Sequence, residues 1–134
     1  MRSDPGQTGT WLTICSAYFD KGVNMTIYIT QGNYTREAIQ GLMAKPEDRT
    51  EEVSKLLAAV GGKLLAYYTT FGEYDFMIIG EGPNEMDTAA SLLIAAGTGG
   101  VSNLKTTVAI RAADMKQVFG KAGSIAAKFR PAGK

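Results

Sequence analysis

The side chains of this chain best suited to chemistry gather at Gly72-Glu73-Tyr74-Asp75. A desolvated Asp75 carboxylate has the makings of a general base, and the Tyr74 phenol is a hydrogen-bond donor carried on a large amphipathic ring. Arg49 is the cation expected to join them in a pocket between a sheet and its helices. The same residues have structural uses. Gly72 supplies the positive φ that a tight hairpin needs, Asp75 accepts from turn amides, and Tyr74 packs at a sheet edge. Both readings of the turn stand. A second place for a ligand is marked by Tyr28, expected on a sheet face turned away from the helices.

What the chain lacks narrows the chemistry further. It holds no histidine and one cysteine, Cys15. Disulfides, the usual zinc sites, imidazole haem ligation and His-dependent triads are therefore excluded, while oxygen-only metal sites remain open. We expect no cofactor. The balance of 14 basic against 13 acidic residues creates no field that would draw the chain to nucleic acid or to an anionic membrane. The apolar stretch from Trp11 to Phe19 is about half the roughly 20 residues that a membrane span requires. Asp4 interrupts the start of any signal peptide, so a cytoplasmic protein is expected.

The elements that must position these residues follow from periodicity and punctuation. With 134 residues, 45% hydrophobic and 20% charged, the chain has material for one domain and one core. Residues 1–24 form a leader without a clear period. Either Met25 is the natural start, or the leader is an edge strand or docking arm built on Trp11, Ile14, Tyr18 and Phe19. From residue 25 to 134 the pattern is regular. Thr26 to Gln31 alternates as a half-buried strand, with Ile27 and Ile29 on one face and Tyr28 and Thr30 on the other.

Thr35 caps a first helix carrying Ile39, Leu42 and Met43, which Pro46 ends. Thr50 caps a second, with Glu51 and Glu52 at its positive end and Gly61-Gly62 as its stop. Lys63 to Phe71 and Tyr74 to Glu81 read as two strands joined by a tight antiparallel turn at Gly72. Pro83-Asn84 opens the next helix and the glycines from Gly97 to Gly100 close it. These glycines follow a helix instead of preceding one, so the dipole has the wrong sign for a phosphate loop. Leu104 to Arg111 is the last strand, and Asp114 caps a final helix weakened by Gly120 and Gly123. The spaced tail cations Lys116, Lys121, Lys128, Arg130 and Lys134 read as a solvated face. Tyr67 and Tyr68 are adjacent and must point to opposite faces of their strand.

In order, this is an α+β chain with the split βαβ arrangement of a ferredoxin-like antiparallel sheet, helices packed on one face. The uncovered face then calls for a partner, and a homodimer is the simplest closed solution.

Gly72-Glu73-Tyr74-Asp75 resembles the Gly-x-Tyr-Asp signature of the GYD-domain family and sits between two strands as that family's pattern requires. Thr35-Arg36-Glu37, Pro46, Arg49, Gly61-Gly62-Lys63 and Gly100-Val101 also look like family positions, so the similarity runs from about Thr26 to Met115. Gly82-Pro83-Asn84 departs from it, since the family commonly has an acid after that proline. The resemblance implies a fold similar to dimeric α+β barrel proteins, which include cofactor-free monooxygenases, isomerases and ligand-sensing domains. Fold does not choose among them. The function expected is an oligomeric small-molecule-binding or accessory module. The alternatives are a cofactor-free enzyme acting on a small organic substrate, or a dedicated subunit of a larger enzyme complex. Tyr28, Arg49, Gly72, Tyr74 and Asp75 are the candidate ligand-binding residues, with Tyr74 and Asp75 the catalytic candidates.

Overall fold

A computed structural model of the chain describes residues 25–134. The two readings of the leader therefore lie outside the described residues. The elements are β1 (Thr26–Tyr34), α1 (Arg36–Ala44), α2 (Thr50–Ala59), β2 (Lys63–Thr69), β3 (Phe76–Gly82), α3 (Glu85–Gly97), β4 (Val101–Ala109) and α4 (Met115–Ala126), the last preceded by a short 3-10 turn at Ala112–Asp114. The strands form one sheet in the order β2-β3-β1-β4, with β1 antiparallel to β3 and β4 and β2 antiparallel to β3. This is the ferredoxin-like order expected from the split βαβ pattern.

Local chemistry accounts for the helix ends. The Thr35 hydroxyl accepts from the Ala38 N–H at the start of α1 (3.2 Å), and the Asn84 side chain accepts from the Asp87 N–H at the start of α3 (2.8 Å). Both are caps of the usual Ser/Thr/Asn kind. Helix α2 ends in a Schellman arrangement, in which the Gly62 N–H reaches the Leu57 carbonyl (2.8 Å) and the Gly61 N–H the Ala58 carbonyl (3.0 Å). Gly61 takes the left-handed conformation that the motif needs, with φ of 84°. Gly62 has no room for a side chain, because a Cβ there would lie 2.4 Å from the Glu81 carbonyl oxygen.

The structure revises several sequence-based expectations. Strand β1 runs on to Tyr34, past the Gln31 at which its alternation was expected to stop. The segment between β2 and β3 spans residues 70–75 and is not a tight turn, since both strands give up residues to it. Thr50 is the first residue of α2 and not its cap, and the Asp48 carboxylate accepts from the Thr50 N–H instead (2.9 Å). The last strand is shifted toward the N-terminus, to Val101–Ala109. Asp114 makes no side-chain capping bond to α4.

The largest revision concerns the two faces of the sheet. Tyr28 and Thr30 face the helices, not away from them, and are 8% and 9% exposed. Register carries this through the sheet, because Tyr28 lies opposite Gly80, Thr30 opposite Ile78, and Gly32 opposite Phe76. The Thr30 and Thr106 hydroxyls meet on the same side at 3.0 Å. Ile27, Ile29, Met77 and Ile79 therefore share the open face. Tyr67 turns to the helices and Tyr68 to the open side, where it is 58% exposed.

Candidate functional site

The space between sheet and helices is only partly filled. Among the described residues the buried apolar side chains are Tyr28 and Phe76, where a packed domain of this size has many more. A cavity of about 560 Å³ takes the place of a tight core, walled by Tyr28, Thr30 and Ile78 from the sheet and by Leu42, Leu57 and Leu92 from the helices. Sequence explains the room on the strand side. Gly80 lines the cavity without a side chain, and a Cβ there would come within 3.3 Å of Leu57 on the opposite wall. The volume lies in the range of roughly 300–1,000 Å³ typical of small-molecule sites.

A second hollow of about 420 Å³ forms the mouth, lined among others by Ile39, Arg49, Thr70, Phe71 and Asp75. Tyr34, Leu42, Glu47, Arg49 and Tyr67 line both spaces and mark their junction. There the Tyr34 and Tyr67 hydroxyls are 2.9 Å apart. One donates to the other, which leaves one O–H of the pair free for a further acceptor. The Tyr34 ring rests tilted against Phe76 with centroids 5.2 Å apart, a favourable aromatic geometry. Burial, followed by the hydrogen bond with Tyr67, raises the Tyr34 pKa above its ordinary value. Tyr34 is thus a donor and not a base near neutral pH. Arg49 is paired with Glu47 at 2.6 Å, and that hydrogen bond raises its already high pKa further. Hydrogen bonds from Thr50 lower the pKa of the neighbouring Asp48.

Asp75 lines the mouth, yet its bonds are those of a tether. Its Oδ2 accepts from the Tyr34 N–H (2.9 Å), its own N–H donates to the Gly32 carbonyl (2.8 Å), and its carbonyl accepts from the Thr70 N–H (2.9 Å). Asp75 thereby fastens the segment 70–75 to the end of β1 and orients Tyr34 toward the junction. Tyr74 lies outside the lining of both hollows, and its carbonyl accepts from the Thr70 hydroxyl (2.7 Å). Gly72 has φ of 153° and open space around its Cβ position. Its role is conformational.

The arrangement brings Arg49 and Asp75 together at the mouth and places Tyr28 deep in the cavity, while Tyr74 and Gly72 stay outside. Tyr34 and Tyr67 are the functional candidates that sequence reasoning missed or left unassigned. The alternation Tyr28, Thr30, Gly32, Tyr34 was the available signal, cut short by ending the strand at Gln31.

Comparison with protein families settles the kinship, since the family model for the GYD domain matches residues 28–119. The chain belongs to the GYD domain family. The match covers β2, β3, β4, all of β1 but its first two residues, and the segment 70–75 that carries the signature, so the tethering role of Asp75 is seen here in a GYD domain. No curated protein matches the chain significantly in sequence. Among the described residues of this GYD domain, no cluster of three or more Cys, Asp or Glu is placed to hold a metal, and no helix is long and apolar enough to cross a membrane.

Proposed function

We propose that this GYD domain is an oligomeric small-molecule-binding or accessory module whose ligand occupies the space between sheet and helices. The observation that carries the reading is the cavity of about 560 Å³ with mostly apolar walls and a small polar group at one end. Such a combination favours a ligand with an apolar body and one oxygen acceptor. The body lies among Leu42, Val53, Leu57 and Leu92, and the acceptor meets the free O–H of the Tyr34–Tyr67 pair with Arg49 beside it. Catalysis by Asp75 is less well supported, because its carboxylate is engaged by the Tyr34 N–H. A second copy covering the open sheet face completes the module, since Ile27, Ile29, Met77 and Ile79 form an apolar surface there. A cytoplasmic setting accords with this reading.

Native mass spectrometry of the protein purified from its own host tests the proposal. A stoichiometric organic adduct is expected in the parent and is lost in Leu42→Trp, which places an indole at the junction of the two hollows. Tyr67→Phe keeps the shape and removes one hydroxyl, so it should hold the adduct more weakly by about tenfold for each 1.4 kcal/mol lost. A parent with no adduct, or an adduct that both variants retain unchanged, would sink the reading.

A further inference from the structure

Helix α4 and the tail behind it stand apart from the rest of the fold. Its one substantial packing partner among the described residues is the short turn at Ala112–Asp114 that leads into it. Met115, Val118, Phe119, Ala122 and Ile125 recur at helical spacing and so share one face. That face is bare. Phe119 is 66% exposed, and Phe129 just beyond the helix is 75% exposed. A helix of 12 residues interrupted by Gly120 and Gly123 is marginal in water without a surface to pack on.

Charge indicates which surface that is. Lys116, Lys121, Lys128, Arg130 and Lys134 follow Asp114 with no acidic residue among them. Because the whole chain holds 14 basic and 13 acidic residues, everything ahead of α4 is net acidic. At the cavity mouth and the adjoining start of α2 the carboxylates of Glu47, Asp48, Glu51 and Glu52 outnumber the cations paired with them, Arg49 with Glu47 and Lys55 with Glu51 and Glu52, so the rim keeps a net negative charge. Beside them the mouth presents Ile39 and Phe71, the latter 96% exposed. One surface is apolar with an acidic rim, and the other is apolar with flanking lysines.

We propose that α4 docks on a second copy of this chain, its apolar face over Ile39 and Phe71 and its lysines against Glu47, Asp48, Glu51 and Glu52. Each copy then closes the cavity mouth of the other. Reciprocal exchange of this kind is a closed two-fold arrangement. The helix spans roughly 18 Å, enough to lie across a mouth of this size. A basic amphipathic helix also suits an anionic bilayer. The acidic body opposes that occupant, whereas the complementary acidic surface is present in the chain itself. The docking concerns the rim of the cavity and holds whatever ligand lies inside.

Two measurements on the full chain test it. In the first, ¹⁴N- and ¹⁵N-labelled chains are refolded together and joined by a zero-length carbodiimide reagent, which couples lysine amines to carboxylates. Mixed-isotope peptides linking Lys116, Lys121 or Lys128 to Glu47, Asp48, Glu51 or Glu52 are expected. Links confined to one isotope, or none at these positions, would overturn the proposal. In the second, self-association is measured by sedimentation for Lys121→Glu/Lys128→Glu, for Glu51→Lys/Glu52→Lys, and for all four changes in one chain. Each pair should weaken association by about tenfold, and the combination should restore it to within about threefold. Losses that simply add, or no loss from either pair, would contradict the docking. So would a monomeric parent that cosediments with phosphatidylglycerol vesicles and loses that binding in Lys121→Glu/Lys128→Glu.

Discussion

Tyr34 concentrates the chemistry of this GYD domain in one side chain. Its N–H is held by Asp75, its hydroxyl by Tyr67 and its ring by Phe76, so three neighbours set its place at the junction of cavity and mouth. Burial raises its pKa, which has a definite sign in a pH titration. A phenol whose folded pKa lies above its unfolded value near 10 contributes stability in full below that value, and the contribution fades as pH rises toward the folded pKa. In an absorbance titration of the folded protein, the Tyr34 phenol should therefore ionise above its ordinary range. Tyr34→Phe should remove that late component. A Tyr34→Phe titration that overlays the parent would show that the late phenol is another residue, or that there is none.

At the scale of elements, the glycines of the two connections do different work. Gly62 sits where a Cβ would press on the Glu81 carbonyl oxygen, which joins the Schellman end of α2 to the edge of β3. Gly72 has nothing near its Cβ position, so only its backbone conformation, with φ of 153°, resists a side chain. Gly62→Ala should cost about 1–3 kcal/mol by overpacking. Gly72→Val should cost about 1–3 kcal/mol by backbone strain. The two are separable by Gly72→Ala, which should share the Gly72→Val loss although nothing crowds its Cβ, because any Cβ is penalised at a φ of 153°. Chemical denaturation reads all three. If Gly72→Val unfolded with the parent, the segment 70–75 would not depend on glycine geometry.

For the molecule as a whole, the sheet face turned away from the helices is an apolar surface that the described residues leave uncovered. Ile29 and Ile79 are directly opposite each other on neighbouring strands, with Ile27 and Met77 beside them. A charge placed at that centre should disrupt a partner's packing while leaving the helix-side face untouched. Light scattering at micromolar concentration should show an oligomer for the parent and a smaller species for Ile29→Asp. A parent that is monomeric and soluble without any partner would remove the oligomer from the proposal.

Much of the architecture was legible in local chemistry. Thr35 and Asn84 cap, Gly61 and Gly62 stop a helix, and the alternation from Thr26 onward makes a strand, because each depends on a few neighbouring residues and the geometry of one hydrogen bond or one dihedral angle. The same locality made Asp75 visible as an acceptor for nearby amides, although not which N–H it would receive. Period 2 divides β1 into two faces but attaches no sign to either. Tyr28 and Thr30 turn inward because the space under them is a cavity that accommodates aromatic and hydroxyl groups, while Ile27 and Ile29 turn outward, so polarity alone pointed the wrong way. The Tyr34–Tyr67 hydroxyl pair depends on β1 continuing to Tyr34 and on strand pairing through β3. Those are long-range contacts, and only the tertiary structure brings the two phenols and Arg49 to one end of the same cavity.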